Sequence, residues 1–148
     1  MKKKLLPYAI SLALLLIAAL VLWLLFAPRP IVVDVSRSGV IAVDFNPQFN
    51  QEQQDCSPLL LAGYDEAAIL EVLSRYSEQR APRQGPQGDW VGDIQLELTI
   101  ATNYETKFIR LGNVNYSYDT VGAPTYNILE AEQLRAELMA LLDTSRTY

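Results

Sequence analysis

Residues 94–100 read Ile-Gln-Leu-Glu-Leu-Thr-Ile, with an apolar side chain at every second position and a polar one between. Successive side chains of a strand point to opposite faces, so this is a strand with one dry and one wet face. Its neighbours extend the pattern. Asn103-Tyr104-Glu105 turns the chain into a second strand, Lys107–Leu111, and Gly112-Asn113 turns or bulges it again before Val114–Tyr118. Asp119–Gly122 makes another turn before Thr125–Leu129. Ala131, Leu134, Leu138, Leu141 and Leu142 then recur at helical spacing, which predicts an amphipathic helix from about Glu130 to Asp143.

On the N-terminal side, residues 80–90 hold Pro82, Gly85, Pro86 and Gly88 and read as a loop. Before it, Tyr64-Asp65 opens a helix. Asp65 is a good N-cap, Glu66 puts negative charge in the first turn, and Ile69, Leu70, Val72, Leu73 and Tyr76 form an apolar stripe running to about Gln79. Residues 46–58 are rich in Gln, Asn and Pro without apolar period, a second loop. Ile31–Val35 and Val40–Phe45 are rich in β-branched residues and flank Ser36-Arg37-Ser38-Gly39, which predicts a hairpin or one interrupted strand. The order is β-β-α-β-β-β-β-α. Short turns between adjacent strands imply an antiparallel meander with both helices on one face, an α+β two-layer domain.

This domain follows a different kind of segment. Tyr8–Ala27 is 20 residues without a charge, enough for a helix of roughly 30 Å, the thickness of a bilayer's hydrocarbon core. Trp23 suits the interfacial belt at its far end. The apolar run exceeds that of a cleaved signal peptide, Leu25 is bulky where a small residue is needed, and Pro28 would follow the cut. Lys2, Lys3 and Lys4 precede the run and Arg29 alone follows it, which keeps the N-terminus cytoplasmic. The expected organisation is a cytoplasmic basic tail (1–4), a transmembrane signal anchor (5–27) and an extracytoplasmic α+β domain (28–148), in a single-pass protein of the cell membrane.

Composition narrows function mainly by exclusion. Beyond Pro30 there are 8 basic and 17 acidic residues, a formal charge of −9, which repels nucleic acid. Histidine is absent, so His-based triads and His-ligated zinc are excluded. The single cysteine, Cys56, permits no intrachain disulfide, and acidic Asp55 beside it disfavours a reactive thiolate. The Asp/Asn spacing of a calcium loop is missing, and no cofactor is expected. Asp89 and Asp93 flank Trp90 and, with Glu97, are the candidates for paired-carboxylate hydrolysis; the domain has many acids, and the reading favoured for Asp89 is a place in the loop entering the strand.

The aromatic residues of the last third, Tyr104, Tyr116, Tyr118 and Tyr126, are the candidate contact for a partner or ligand. Tyr116 and Tyr118 are two apart and share a face, with Tyr126 expected across the hairpin from them. A tyrosine platform binds sugars or peptides, because each ring is apolar with a hydrogen-bonding edge. Cross-strand packing is the competing use.

Leu111-Gly112, Asn115-Tyr116-Ser117-Tyr118, Tyr126-Asn127-Ile128 and the closing Leu-rich helix together resemble small extracytoplasmic domains of unknown function in membrane- or lipid-anchored proteins of Gram-positive bacteria. The resemblance covers about residues 59–143 and implies no activity and no catalytic residue. The sequence therefore points to a non-catalytic module binding a protein or envelope component. The alternatives are a carboxylate-dependent envelope hydrolase and a structural subunit of a membrane complex.

Overall fold

The computed structural model describes residues 2–51, 58–81, 93–103, 105–119 and 124–146. Helix α1 (Lys2–Phe26) leads into β1 (Arg29–Pro30), a 3-10 turn (Val35–Arg37), β2 (Gly39–Phe45), β3 (Leu59–Leu60) and helix α2 (Glu66–Arg75). Then come β4 (Ser77–Arg80), β5 (Ile94–Ala101), β6 (Thr106–Gly112), β7 (Tyr116–Tyr118), β8 (Thr125–Ile128) and helix α3 (Ala131–Leu141). Within α1, Tyr8–Phe26 is long and apolar enough to cross a membrane, and none of it is buried against the rest of the chain.

The eight strands form one open sheet in the order β1-β4-β8-β7-β6-β5-β2-β3, with every neighbouring pair antiparallel. The fold is α+β, as the alternation of periods predicts. β5 to β8 are the expected meander. The sheet is nevertheless more than a meander, because β2 adds beside β5 at one end and β4 beside β8 at the other. Helix α2 lies in the connection between them and packs against α3, with Tyr76 Oη donating to Glu137 Oε1 at 2.7 Å and Arg75 paired to Glu137 at 2.8 Å. Leu70, Leu73, Leu134 and Leu138 from the helices meet Val43, Leu96, Leu98, Ile100, Ile109 and Leu111 from the strands in one core.

Three expectations need correction. Ile31–Val35 is not a strand and forms no hairpin with residues 40–45. Arg29 and Pro30 pair with β4 instead, the Ile31 amide donates to the Tyr76 carbonyl at 3.0 Å, and Ile31 and Val32 turn into the core. Asp34 then caps the 3-10 turn by accepting from the Ser36 amide at 3.1 Å. Secondly, α2 stops at Arg75 and does not run to Gln79. Tyr76 is already extended (φ −101°, ψ 156°), and Ser77–Arg80, with Arg80 outside the loop assigned to it, forms β4. Thirdly, Leu59–Leu60 adds a short strand at the far edge of β2. Asp65 does cap α2, accepting from the Ala68 amide at 3.1 Å.

Two bulges interrupt the ladder. In β2, Val40 pairs Ile100 and Ala42 pairs Thr99, so Ile41 is an extra residue, and its side chain is 56% exposed. In unbroken alternation Val40 and Asp44 would share a face; the bulge lets Val40 and Val43 both enter the core while Asp44 stays outside it. In β5 the register shifts between Ile94 and Leu96, opposite Gly112. A Cβ on Gly112 would lie 2.0 Å from the Asp93 carbonyl oxygen, and that carbonyl accepts from the Asn113 amide at 2.7 Å. Backbone cannot retreat as a flexible side chain can. Gly112→Ala is therefore expected to destabilise the domain by about 1–3 kcal/mol, the usual cost of overpacking, read as a lower urea midpoint for the detergent-solubilised chain; an unchanged midpoint contradicts the close approach.

Candidate functional site

The strand register divides the tyrosines between two faces. Tyr116 pairs Asn127, Ser117 pairs Tyr126 and Tyr118 pairs Thr125. Directly paired residues point the same way, so Tyr116 and Tyr118 share one face, while Tyr126 projects with Ser117 from the other. The expected placement of Tyr126 with the other two is thus off by one residue, and in a sheet one residue reverses the face. Tyr104, Asp89 and Cys56 lie outside the described residues.

The face away from the helices carries an aromatic stripe. Phe108 and Tyr118 stack with centroids 4.9 Å apart and planes 16° apart, and Tyr116 lies 6.0 Å from Tyr118. Arg110 donates to the Tyr116 hydroxyl at 2.9 Å and sits 5.5 Å over the Tyr118 ring. Its guanidinium also grips the Glu97 carboxylate. Tyr116 is buried, so Tyr118, Phe108 and Arg110 offer the accessible surface. Burial pushes the Tyr118 phenol up, which keeps it a neutral hydroxyl.

Beside the stripe, Asp44 and Glu97 are direct partners on β2 and β5. Burial pushes both carboxyls above their ordinary range. For Glu97 the Arg110 hydrogen bond and charge pull the other way without cancelling it, and the Asp44 charge adds to the rise. Among the described residues, Glu97 is the acid of the expected hydrolytic group that meets another carboxyl here, and its companion, Asp44, was not among the candidates. Among the described residues, no three or more His, Cys, Asp or Glu side chains gather to hold a metal ion.

The second cluster sits on the helix side, where the sheet runs out towards β1. Glu78 of β4 is fully buried. Its Oε1 accepts from Lys107 Nζ at 2.6 Å and Arg29 Nε at 2.8 Å, and its Oε2 from Ser117 Oγ at 2.5 Å. Lys107 also donates to the Ile31 carbonyl at 3.1 Å. Arg29 reaches Asp119 Oδ2 at 3.3 Å and lies 4.0 Å over the Tyr126 ring. Burial opposes the Arg29 charge, but Glu78, Tyr126 and Asp119 outweigh it and hold its pKa above the usual guanidinium value. Asp119 Oδ1 is buried, makes no hydrogen bond among the described residues, and stands 3.6 Å from Lys107 Nζ.

A cleft of about 390 Å³ opens from this cluster, between the segment following α1 and the β5–β6 turn. Arg29, Lys107 and Asp119 form its charged floor, with Val33, Asp34, Arg37 and Glu105 around it. In the sequence Arg29 was read only as the cation that follows the apolar run. Lys107 and Glu78, 29 residues apart, gave no local signal. No protein-family model, no curated protein and no solved structure matches the chain.

Two stability measurements follow from these clusters. Lys107→Met leaves a buried carboxylate short of a cation, for which the expected loss is about 3–5 kcal/mol. Adding Glu78→Gln to that variant should recover part of the loss, because the uncompensated charge is gone; urea unfolding of both variants checks this, and strictly additive losses contradict the coupling. For Asp44 and Glu97 the sign is fixed by their raised values. The folded chain holds these protons more tightly than the unfolded chain, so stability falls as pH rises through the folded values, and the penalty is absent below the unfolded carboxylate range. Asp44→Asn should flatten that acid-side slope in urea midpoints taken against pH; parallel curves for the two proteins would refute it.

Proposed function

We propose that this chain is a single-pass membrane module, with its N-terminus cytoplasmic and its domain extracytoplasmic, that binds a protein or envelope component without catalysing a reaction. The observation that carries the binding reading is the Phe108–Tyr118–Tyr116 stripe with Arg110, on a sheet face that no described helix covers. Aromatic rings with a neighbouring guanidinium are the side chains that dominate protein and carbohydrate contacts. The anchor reading is supported by an apolar helix unburied by its own domain and by the three lysines before it.

The joint between helix and domain also supports this reading. Gln79 Nε2 donates to the Phe26 carbonyl at 2.7 Å, satisfying an acceptor at the helix end, and Arg29 enters the sheet three residues later. The domain is therefore held directly at the end of the span, without an intervening flexible linker. A hydrolase is the second reading, favoured by Asp44 and Glu97 facing one another with raised values. Against it, Arg110 engages the Glu97 carboxylate.

A photo-crosslinking residue placed at Tyr118 of the full chain in native membranes is expected to give a discrete adduct, and one placed at exposed Glu71 on α2 is not. A reporter fused after Tyr148 should be active only outside the cytoplasm. Identical adduct patterns at the two positions would remove the binding face, and a reporter active inside would remove the topology.

A further inference from the structure

We infer that the aromatic face of the sheet lies against the headgroup layer of the leaflet from which α1 emerges, with Phe108, Tyr118 and Arg110 as the contact. This rests on the anchor and binding readings above and names the envelope component that the face meets, which is the lipid itself.

The joint fixes where the face begins. Tyr8–Phe26 is 19 residues, about 28 Å of helix, which fills the hydrocarbon core and leaves the Phe26 carbonyl at its boundary with the headgroups. Gln79 Nε2 donates to that carbonyl at 2.7 Å, so the Gln79 side chain stands in the headgroup layer. Gln79 and Glu78 are consecutive on β4 and point to opposite faces. Glu78 enters the charged cluster on the helix side, and Gln79 projects from the other. Gln79 pairs Asn127, and Asn127 pairs Tyr116, so these three share the aromatic face. At about 4.8 Å per strand, Tyr116 is roughly 10 Å and Tyr118 roughly 12 Å from the residue that holds the end of the span. The span therefore meets the domain on its aromatic side. A protein laid on this face would have to share it with the headgroups at the Gln79 end.

Composition separates the two sides in the same sense. Tyrosine rings with a polar tip are the side chains that settle at headgroup level, and a long arginine reaches from an apolar surface to phosphate. Phe108, Tyr118 and Arg110 are each half-buried, so part of each remains accessible. Ala42 and Thr99 continue the row that Phe108 starts, small side chains that leave the rings proud of the face. Arg110 is paired to Glu97, so the two charges approach the lipid already compensated. Burial pushes the Glu97 and Asp44 carboxyls up, which favours their neutral forms and eases their approach to the leaflet. On the opposite layer, α2 and α3 turn Glu71, Arg75 and Glu132 to solvent. The domain thus has one aromatic side, where the span joins it, and one charged side.

The test uses the full chain with Cys56→Ser in phosphatidylcholine nanodiscs that carry a nitroxide on the headgroup. A bimane fluorophore is attached at Thr99→Cys in one sample and at Glu71→Cys in the other. Thr99 pairs Phe108 on the aromatic face but lies four strands from β4, so it nears the headgroups only when the whole face lies down on them. The expected result is strong quenching at Thr99 and none at Glu71 beyond that in nitroxide-free discs. Tyr118→Ser should lower the ratio of docked to undocked domain about tenfold, the worth of one large side chain taken out of contact, and quenching at Thr99 should fall with it. The comparison of Thr99 with Glu71 needs no ring variant, so it decides the matter even where Tyr118→Ser does not fold. Equal quenching at the two positions overturns the inference, as does quenching at Thr99 that a folded Tyr118→Ser chain retains in full. The photo-crosslinker at Tyr118 in native membranes separates the readings. A lipid adduct supports both, whereas a protein adduct together with equal quenching keeps the binding face and overturns the leaflet as its partner. A chain released from those membranes by alkaline carbonate defeats the anchor, and the inference with it.

Discussion

The buried carboxylate of Glu78 is the constraint around which the rest of the structure is arranged. An ionised carboxylate leaves water at a cost of several kcal/mol unless charges and hydrogen-bond donors replace the lost hydration. Three donors converge on Glu78: Lys107 from β6, Ser117 from β7 and Arg29 from β1. One side chain thereby fixes three other strands relative to β4. On the opposite face of the same strand, Gln79 holds the last carbonyl of α1. The tetrapeptide Ser77–Arg80, all polar, is thus both the centre of the buried charge network and the joint to the apolar helix.

The ends of the sheet follow a related logic. An open sheet has two edges, and a long bare edge invites pairing with other chains. Here both edge strands are two residues long, and one of them, β1, contains Pro30, which has no amide to donate. With α2 and α3 covering much of one face, the described residues leave open the aromatic stripe on the other face and the cleft beside β1.

The fold class and the meander were legible in the sequence because β5 alternates cleanly, turn residues separate the segments that follow it, and α3 keeps helical spacing in its leucines. What was hidden had no local signature. β4 is made of residues with little strand preference and is held by tertiary pairing with β8 and by buried ion pairs, so helical periodicity appeared to run on through Gln79. β1 is too short for any pattern, and the β-branched run after it serves to plug the core with Ile31 and Val32. The bulge at Ile41 broke alternation in β2. Of the candidate site, the tyrosines were visible by type but their faces were not, since Ser117 pairing Tyr126 depends on a turn whose length the sequence does not specify. The charged cleft joins residues 29, 78, 107 and 119, and no spacing rule connects them.

The two surfaces are built back to back on the same strands. Lys107 and Phe108 are consecutive on β6, and Ser117 and Tyr118 are consecutive on β7, yet the first of each pair enters the charged cluster and the second the aromatic stripe. A slip of one residue in either strand would turn Phe108 or Tyr118 towards Glu78 and leave Lys107 or Ser117 in the stripe, losing the buried pairing and the ring stacking together. Each surface therefore penalises the same misregister that the other does. Strand β7, only three residues long, is thus held by side chains on both faces as well as by its ladders to β6 and β8, and both faces favour the register that places Tyr118 on the open side.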